Sequence, residues 1–262
     1  MPLSSATLLF LTTLALPAAG ETPESTCAAV AACNSIGTEA YKAGRYQDAA
    51  VAFERQVDYA DTAIELLEMD DKPVGSKESN ARQLALNNVV LAYLKGGECL
   101  KARVFLDLAD AAHGATRANA AQLQKACASQ LKTDSRTGDY WQYVGHGSFN
   151  NVTLNQGANG ALIFDAFWMR ISRGPLDEYG PAAFGSLAEV SLDVTGNGAK
   201  GMYDSYVEDK LCELNLTFVG QAIEIAQQTD DDCNIGGAGA YLGGRYVLVS
   251  TTPSPPQKNE DQ

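Results

Sequence analysis

Histidine is almost missing from this chain. Two occur in 262 residues, His113 and His146, and neither has a second histidine with which to share a metal. Also missing are G-x-S-x-G, a P-loop, H-E-x-x-H and C-x-x-C. The chain therefore lacks the usual signatures of a nucleophile elbow, a phosphate cradle, a metalloprotease helix, a thioredoxin-type redox pair or a zinc knuckle. Basic residues are scarce: 19 Lys and Arg face 32 Asp and Glu, a formal net charge of -13. Residues 21–134 account for -4 of it and residues 135–262 for -9. Nucleic acid and anionic membranes are poor partners for such a surface, because both are bound through clustered Lys and Arg. A basic protein or a cation suits it electrostatically, and the same acidity also serves plain solubility.

Beyond the N-terminus no apolar run approaches the ~20 residues that a membrane-spanning helix needs. The run Leu8 to Leu16 ends at Pro17 and is followed by Ala18-Ala19-Gly20. This predicts a secretory signal peptide over 1–20, cleaved near Gly20, although no Lys or Arg precedes Lys42. The expected location is periplasmic or secreted, without membrane insertion. Six cysteines, an even number in an exported chain, argue for disulfides. Cys212 and Cys233 share one strand-rich segment and pair in this reading. Cys99 lies fourteen residues before His113 and Cys127 fourteen after it, so two antiparallel helices turning at His113-Gly114 bring them face to face. Cys27 and Cys33 are left. On a continuous helix six residues span about 9 Å and different faces, beyond disulfide reach. Either the segment before Cys33 is not helical, or these two pair otherwise.

From Cys27 to Thr133 the chain reads as helical. Between Gly37 and Gln56, apolar residues recur at Tyr41, Tyr46, Ala49, Ala50 and Phe53, with Gly44 between two such runs. Gly37, Tyr41, Gly44, Tyr46, Ala49 and Phe53 resemble the tetratricopeptide repeat signature, although Gln56 stands where a second small residue is usual. A second unit contains Tyr93, Gly97, Ala102, Leu106 and Ala109. Gly44 and Gly97 are 53 residues apart, against a repeat period of about 34. The excess falls in Glu65–Asn80, read as a loop or a helix extension. A further helix, Thr116 to Leu131, would cap the array. The resemblance implies helical hairpins that bind protein or peptide. A bare platform for the second half is the other reading. His113 is expected to cap the end of a helix.

After a polar linker, strand signals dominate from 138 to 250. They fall at Tyr140–Val144, Asn151–Gln156, Ala161–Ile171, Ala188–Val194, Gly201–Val207, Cys212–Val219, Ala222–Gln228 and Gly244–Ser250. The fold class is therefore α+β: helical hairpins followed by an antiparallel β-barrel or sandwich of about eight strands. The closing stretch, with Cys-tied strands, a Gly-rich loop and a final G-x-Y strand, resembles small bacterial envelope barrels, including the periplasmic lysozyme-inhibitor type. Residues 251–262 are polar and Pro-rich, and read as a disordered tail.

Candidate site residues are few. Asp193, Thr195 and Asn197 place oxygens on alternate positions before Gly198, with Asp204 at the twelfth, in partial imitation of a calcium loop. A Gly-Asn-Gly hairpin explains the same residues, and calcium is the single cofactor to consider. Asp230, Asp231 and Asp232 form a second acidic cluster, by default a solvated loop. Tyr143 and Trp168, among the aromatics of the first strands, are candidates for a binding surface, although most of these aromatics should be core. His146, in Gly145-His146-Gly147, reads as a surface-loop residue or else as a base. Taken together, the sequence predicts an exported, non-catalytic protein that binds other proteins. An inhibitor or immunity protein against a basic hydrolase or toxin is one alternative, and a hydrolase built around His146 another.

Overall fold

A computed structural model describes residues 27–255 apart from 172–179, 206–209, 228–232, 234–235 and 238. The expected signal peptide, the Asp230–Asp232 cluster and residues 256–262 of the tail lie outside the described residues.

Five helices come first: α1 (Val30–Lys42), α2 (Tyr46–Met69), α3 (Ser76–Gly96), α4 (Cys99–Leu108) and α5 (Gly114–Cys127). Helix α1 stops at Gly44, whose φ of 75° admits the left-handed cap. The Gly44 amide donates to Tyr41 and the Arg45 amide to Ala40. Gly97 ends α3 in the same way, with φ 81°, its amide on Leu94 and that of Glu98 on Tyr93. Both are Schellman caps, which close a helix and turn the chain back. The extra residues between the two glycines resolve as helix extension: α2 runs 24 residues and α3 21, joined by a short turn. Cys27 precedes the first helical turn, which brings it within 5.0 Å (Cα to Cα) of Cys33 and removes the objection to that pair. Cys99 and Cys127 join the start of α4 to the end of α5. His113 is not a C-terminal cap. Helix α4 ends at Leu108, so His113 takes the N-cap position of α5.

Eight antiparallel strands follow: β1 (Gly138–Gly145), β2 (Ser148–Gln156), β3 (Leu162–Ile171), β4 (Pro181–Thr195), β5 (Gly198–Asp204), β6 (Leu211–Val219), β7 (Ala222–Gln227) and β8 (Gly244–Ser250). Each pairs with the next, and β1 pairs with β8, with Tyr140 opposite Leu248, so the sheet is a closed barrel. Between the barrel and the sandwich, the structure selects the barrel. Strand alternation sends Leu162, Phe164, Ala166 and Trp168 of β3 inward, as it does Cys212, Leu214, Leu216 and Phe218 of β6. Eight strands enclose a space that side chains can fill. Here Tyr140, Phe164, Trp168 and Tyr246 occupy it, each no more than 1% exposed. The lining is apolar within and mixed polar without, the reverse of a membrane-spanning barrel. Strand β4 shifts register against β3 twice, and at the first shift, a bulge, Glu189 adopts φ 57° and its amide donates to Asp165. Cys212 on β6 bonds Cys233, beyond β7.

The helices cover one side of the barrel. Phe149 and Val249, on its outer face, belong to the helical core, with Trp141, Tyr143 and Val247 packed beside them. The segment read as a linker is itself fastened. The Gln221 amide donates to the carbonyls of Gln130 and Thr133, while Arg103 of α4 donates to Gln221 and to the Leu248 carbonyl. The first residues of the tail are also held, since the Ser254 amide and hydroxyl both donate to Asp139.

Candidate functional site

Among the described residues, a group of charged side chains lies in the seam between helices and barrel. It starts from a spacing in α2: Glu54, Asp58, Asp61 and Glu65 recur at four, three and four residues, which places four carboxylates on one helical face. The β1–β2 hairpin descends on that face. Its tip is two residues, His146 and Gly147, between the paired Gly145 and Ser148. Both take positive φ, 51° and 66°, as a type I′ turn requires. A Cβ on Gly147 would come within 2.7 Å of the Glu54 carbonyl oxygen, so at this point the hairpin backbone lies directly on the helix backbone.

His146 enters the carboxylate row ring first. Its Nδ1 lies 3.2 Å from Asp58 Oδ1 and 3.1 Å from Thr62 Oγ1, and its Nε2 lies 3.4 Å from Glu65 Oε2. Its own amide donates to Asp61 Oδ2 at 3.1 Å. Tyr143 also donates its hydroxyl to Asp61, and Arg82 of α3 meets the other oxygen of that carboxylate at 2.6 Å. The hydrogen bond to Asp58 raises the His146 pKa above the ordinary value; burial opposes it, and the charges of Asp58, Glu65 and Asp61 reinforce it. One turn earlier, Tyr93 donates to Glu54, whose carboxyl is pushed up to about 7, mainly by burial. Lys101 lies over the rings of Tyr93 and Trp141, at 5.3 and 5.5 Å. Burial, with the Asp61 charge behind it, also pushes the Tyr143 hydroxyl up, so it serves as a donor.

Of the residues named from sequence, Tyr143 and His146 come together here. His146 is not a surface-loop residue, because only 9% of its side chain is exposed. Trp168 does not accompany Tyr143. It is enclosed in the barrel at 0% exposure, since β3 alternation sends it inward, and it offers no binding surface. The calcium-loop residues do not converge either. Thr195 pairs with Gly198 in a tight hairpin, and Asp193 faces Lys200. The Asn197 side-chain oxygen accepts from Arg136, a cation already in place. Asp204 sits at the far end of β5, roughly 20 Å away at ~3.3 Å per strand residue. Among the described residues no group of three or more His, Cys, Asp or Glu is arranged to hold a metal.

Two shallow grooves mark the surface elsewhere. One lies between Ala158–Ala161 and Asp193; the other lies between Glu98–Lys101 and Ser250–Ser254. Neither is lined by His146. Sequence reading missed the α2 carboxylates, although their spacing was visible in the sequence. No protein family, no curated protein and no solved structure matches this chain.

Proposed function

We propose that this chain is an exported, non-catalytic protein that binds a basic protein partner through the outer face of its barrel, with the helical hairpins as a second contact surface. The observation that carries this reading is the face opposite the helices. Met202 and Leu211 stand 51% and 59% exposed on β5 and β6. Across the β5–β6 ladder Met202 stands opposite Glu213 and Leu211 opposite Asp204, both exposed carboxylates. Lys200, two residues before Met202, faces Glu213, and Lys210 directly precedes Leu211. Exposed apolar side chains flanked by charged groups suit a protein partner, with burial supplying affinity and the acidic excess of residues 135–262 supplying approach rate to a basic one. The filled barrel supports the same reading, since it reserves the outside for recognition. Three disulfides support export. The equivalent caps at Gly44 and Gly97 support the tetratricopeptide-like reading of the helices.

The test is calorimetric titration of the full chain with a basic muramidase at low ionic strength, where charge attraction reaches furthest. Expected is binding that weakens with salt and is lost in a Met202→Ser, Leu211→Ser chain. Absence of binding, or binding indifferent to those substitutions, overturns the proposal for this class of partner. The same acidic face favours the inhibitor reading, and the complex decides it: a slowed muramidase makes the chain an inhibitor, an unslowed one a binding protein. A hydrolase built on His146 would need a ring open to substrate, which its burial in the seam opposes.

A further inference from the structure

We propose that the His146 contact with α2 is a proton-gated latch, which clamps the barrel to the helices when the imidazole is doubly protonated and loosens when it is neutral. It extends beyond the binding reading and does not depend on which partner the outer face takes.

The geometry itself calls for a cation. Both ring nitrogens face carboxylates, Asp58 on one side and Glu65 on the other. An imidazolium donates from both nitrogens. A neutral ring donates from one only, so one lone pair must then point at a carboxylate. If Nδ1 is bare, the Thr62 hydroxyl can donate to it, but Asp58 then loses its donor while only 6% exposed. If Nε2 is bare, Glu65 faces it. Losing a partner from a buried charged group leaves its desolvation uncompensated.

The other groups around the ring do not offset this. From α2 come the carboxyl groups of Asp58, Asp61 and Glu65. From α3 comes Arg82, engaged by Asp61 at 2.6 Å. From β1 comes Tyr143, donating to Asp61. Glu54, one turn away, titrates in the same direction: ionising it beside Glu98 adds negative charge to a crowded row. The backbone supplies the release. His146 is a non-glycine residue at φ 51°, a strained conformation that persists where surrounding contacts hold it. Once the ring contacts weaken, nothing charged on the hairpin tip keeps it seated.

The test is hydrogen exchange on the full chain at pH 5.5 and 8.5, corrected for the intrinsic pH dependence of exchange. Every chain carries Glu54→Gln, so that the neighbouring carboxyl is silent. With His146 present, protection of residues 143–148 and 54–65 should fall at least tenfold from the lower to the higher pH. His146→Asn should be weakly protected at both, because Asn-Gly suits the same turn but carries no charge. In Asp58→Asn the amide donates to a bare Nδ1, so the fall should shrink or reverse. Equal protection at the two pH values in the His146 chain overturns the latch. So does an equal fall in the His146→Asn chain.

Discussion

His146 and Gly147 show what a two-residue tip can do at the residue scale. One brings a ring among three carboxylates, and the other supplies the absence of a side chain where two backbones touch. Gly147→Ala is therefore expected to be costly on two counts: the left-handed conformation alone costs ~1–2 kcal/mol, and its Cβ would overlap the Glu54 carbonyl oxygen at 2.7 Å. The expected outcome is destabilisation of roughly 2 kcal/mol or more in urea unfolding, with the hairpin amides exposed to exchange and the helical signal retained. Wild-type stability in this variant would mean that the tip does not rest on α2. The tip was half legible in sequence. Gly-His-Gly announces a turn, and the carboxylates of α2 announce a face. Nothing local joins them, since His146 and Asp58 are 88 residues apart. Trp168 was illegible for a different reason: Ala161–Ile171 is apolar nearly throughout, so alternation in the letters does not reveal which aromatics point inward.

At the scale of elements, the strands were read almost in full and their closure was not. Eight alternating runs fit a barrel or a sandwich equally well, and the decision rests on one non-local pairing, β1 with β8. The twelve-residue calcium spacing misled because a hairpin also places oxygens on alternate residues, but then carries the last of them away along β5. The helical hairpins were legible through their glycine caps, and the Cys99–Cys127 bond through symmetry about His113. That bond closes a loop of about thirty residues around the two shortest-range elements, α4 and α5. Chain-entropy arguments give it about 3–4 kcal/mol. The Cys99→Ala, Cys127→Ala chain is expected to lose that much stability by urea unfolding. A loss below about 1 kcal/mol would show that the asparagine and threonine contacts between α3 and α5, Asn87 with Thr116 and Asn119, hold α5 without it.

Taken whole, the molecule joins two cores through shared residues: Phe149 and Val249 of the barrel in the helical core, and Leu100 of α4 in the barrel core. Such sharing argues for one cooperative unit whose weak point is the charged row. Both titrating groups there have folded pKa values above their ordinary ones, His146 by its bond to Asp58 and Glu54 by burial. A raised pKa gives stability that is complete below the unfolded value and is lost as pH climbs through the folded one. For Glu54 the loss runs from the ordinary carboxyl value of 4.5 to about 7, and for His146 it runs upward from 6.5. The most direct measurement is therefore the melting temperature of the full chain at pH 5.5 and 8.5, beside the Glu54→Gln, His146→Asn chain. The expected result is a single transition that falls by several degrees at the higher pH, about 2–4 °C per kcal/mol at this size, and barely moves in the double variant. Two separate transitions at pH 5.5, or the same fall in both chains, would contradict a seam held by these residues.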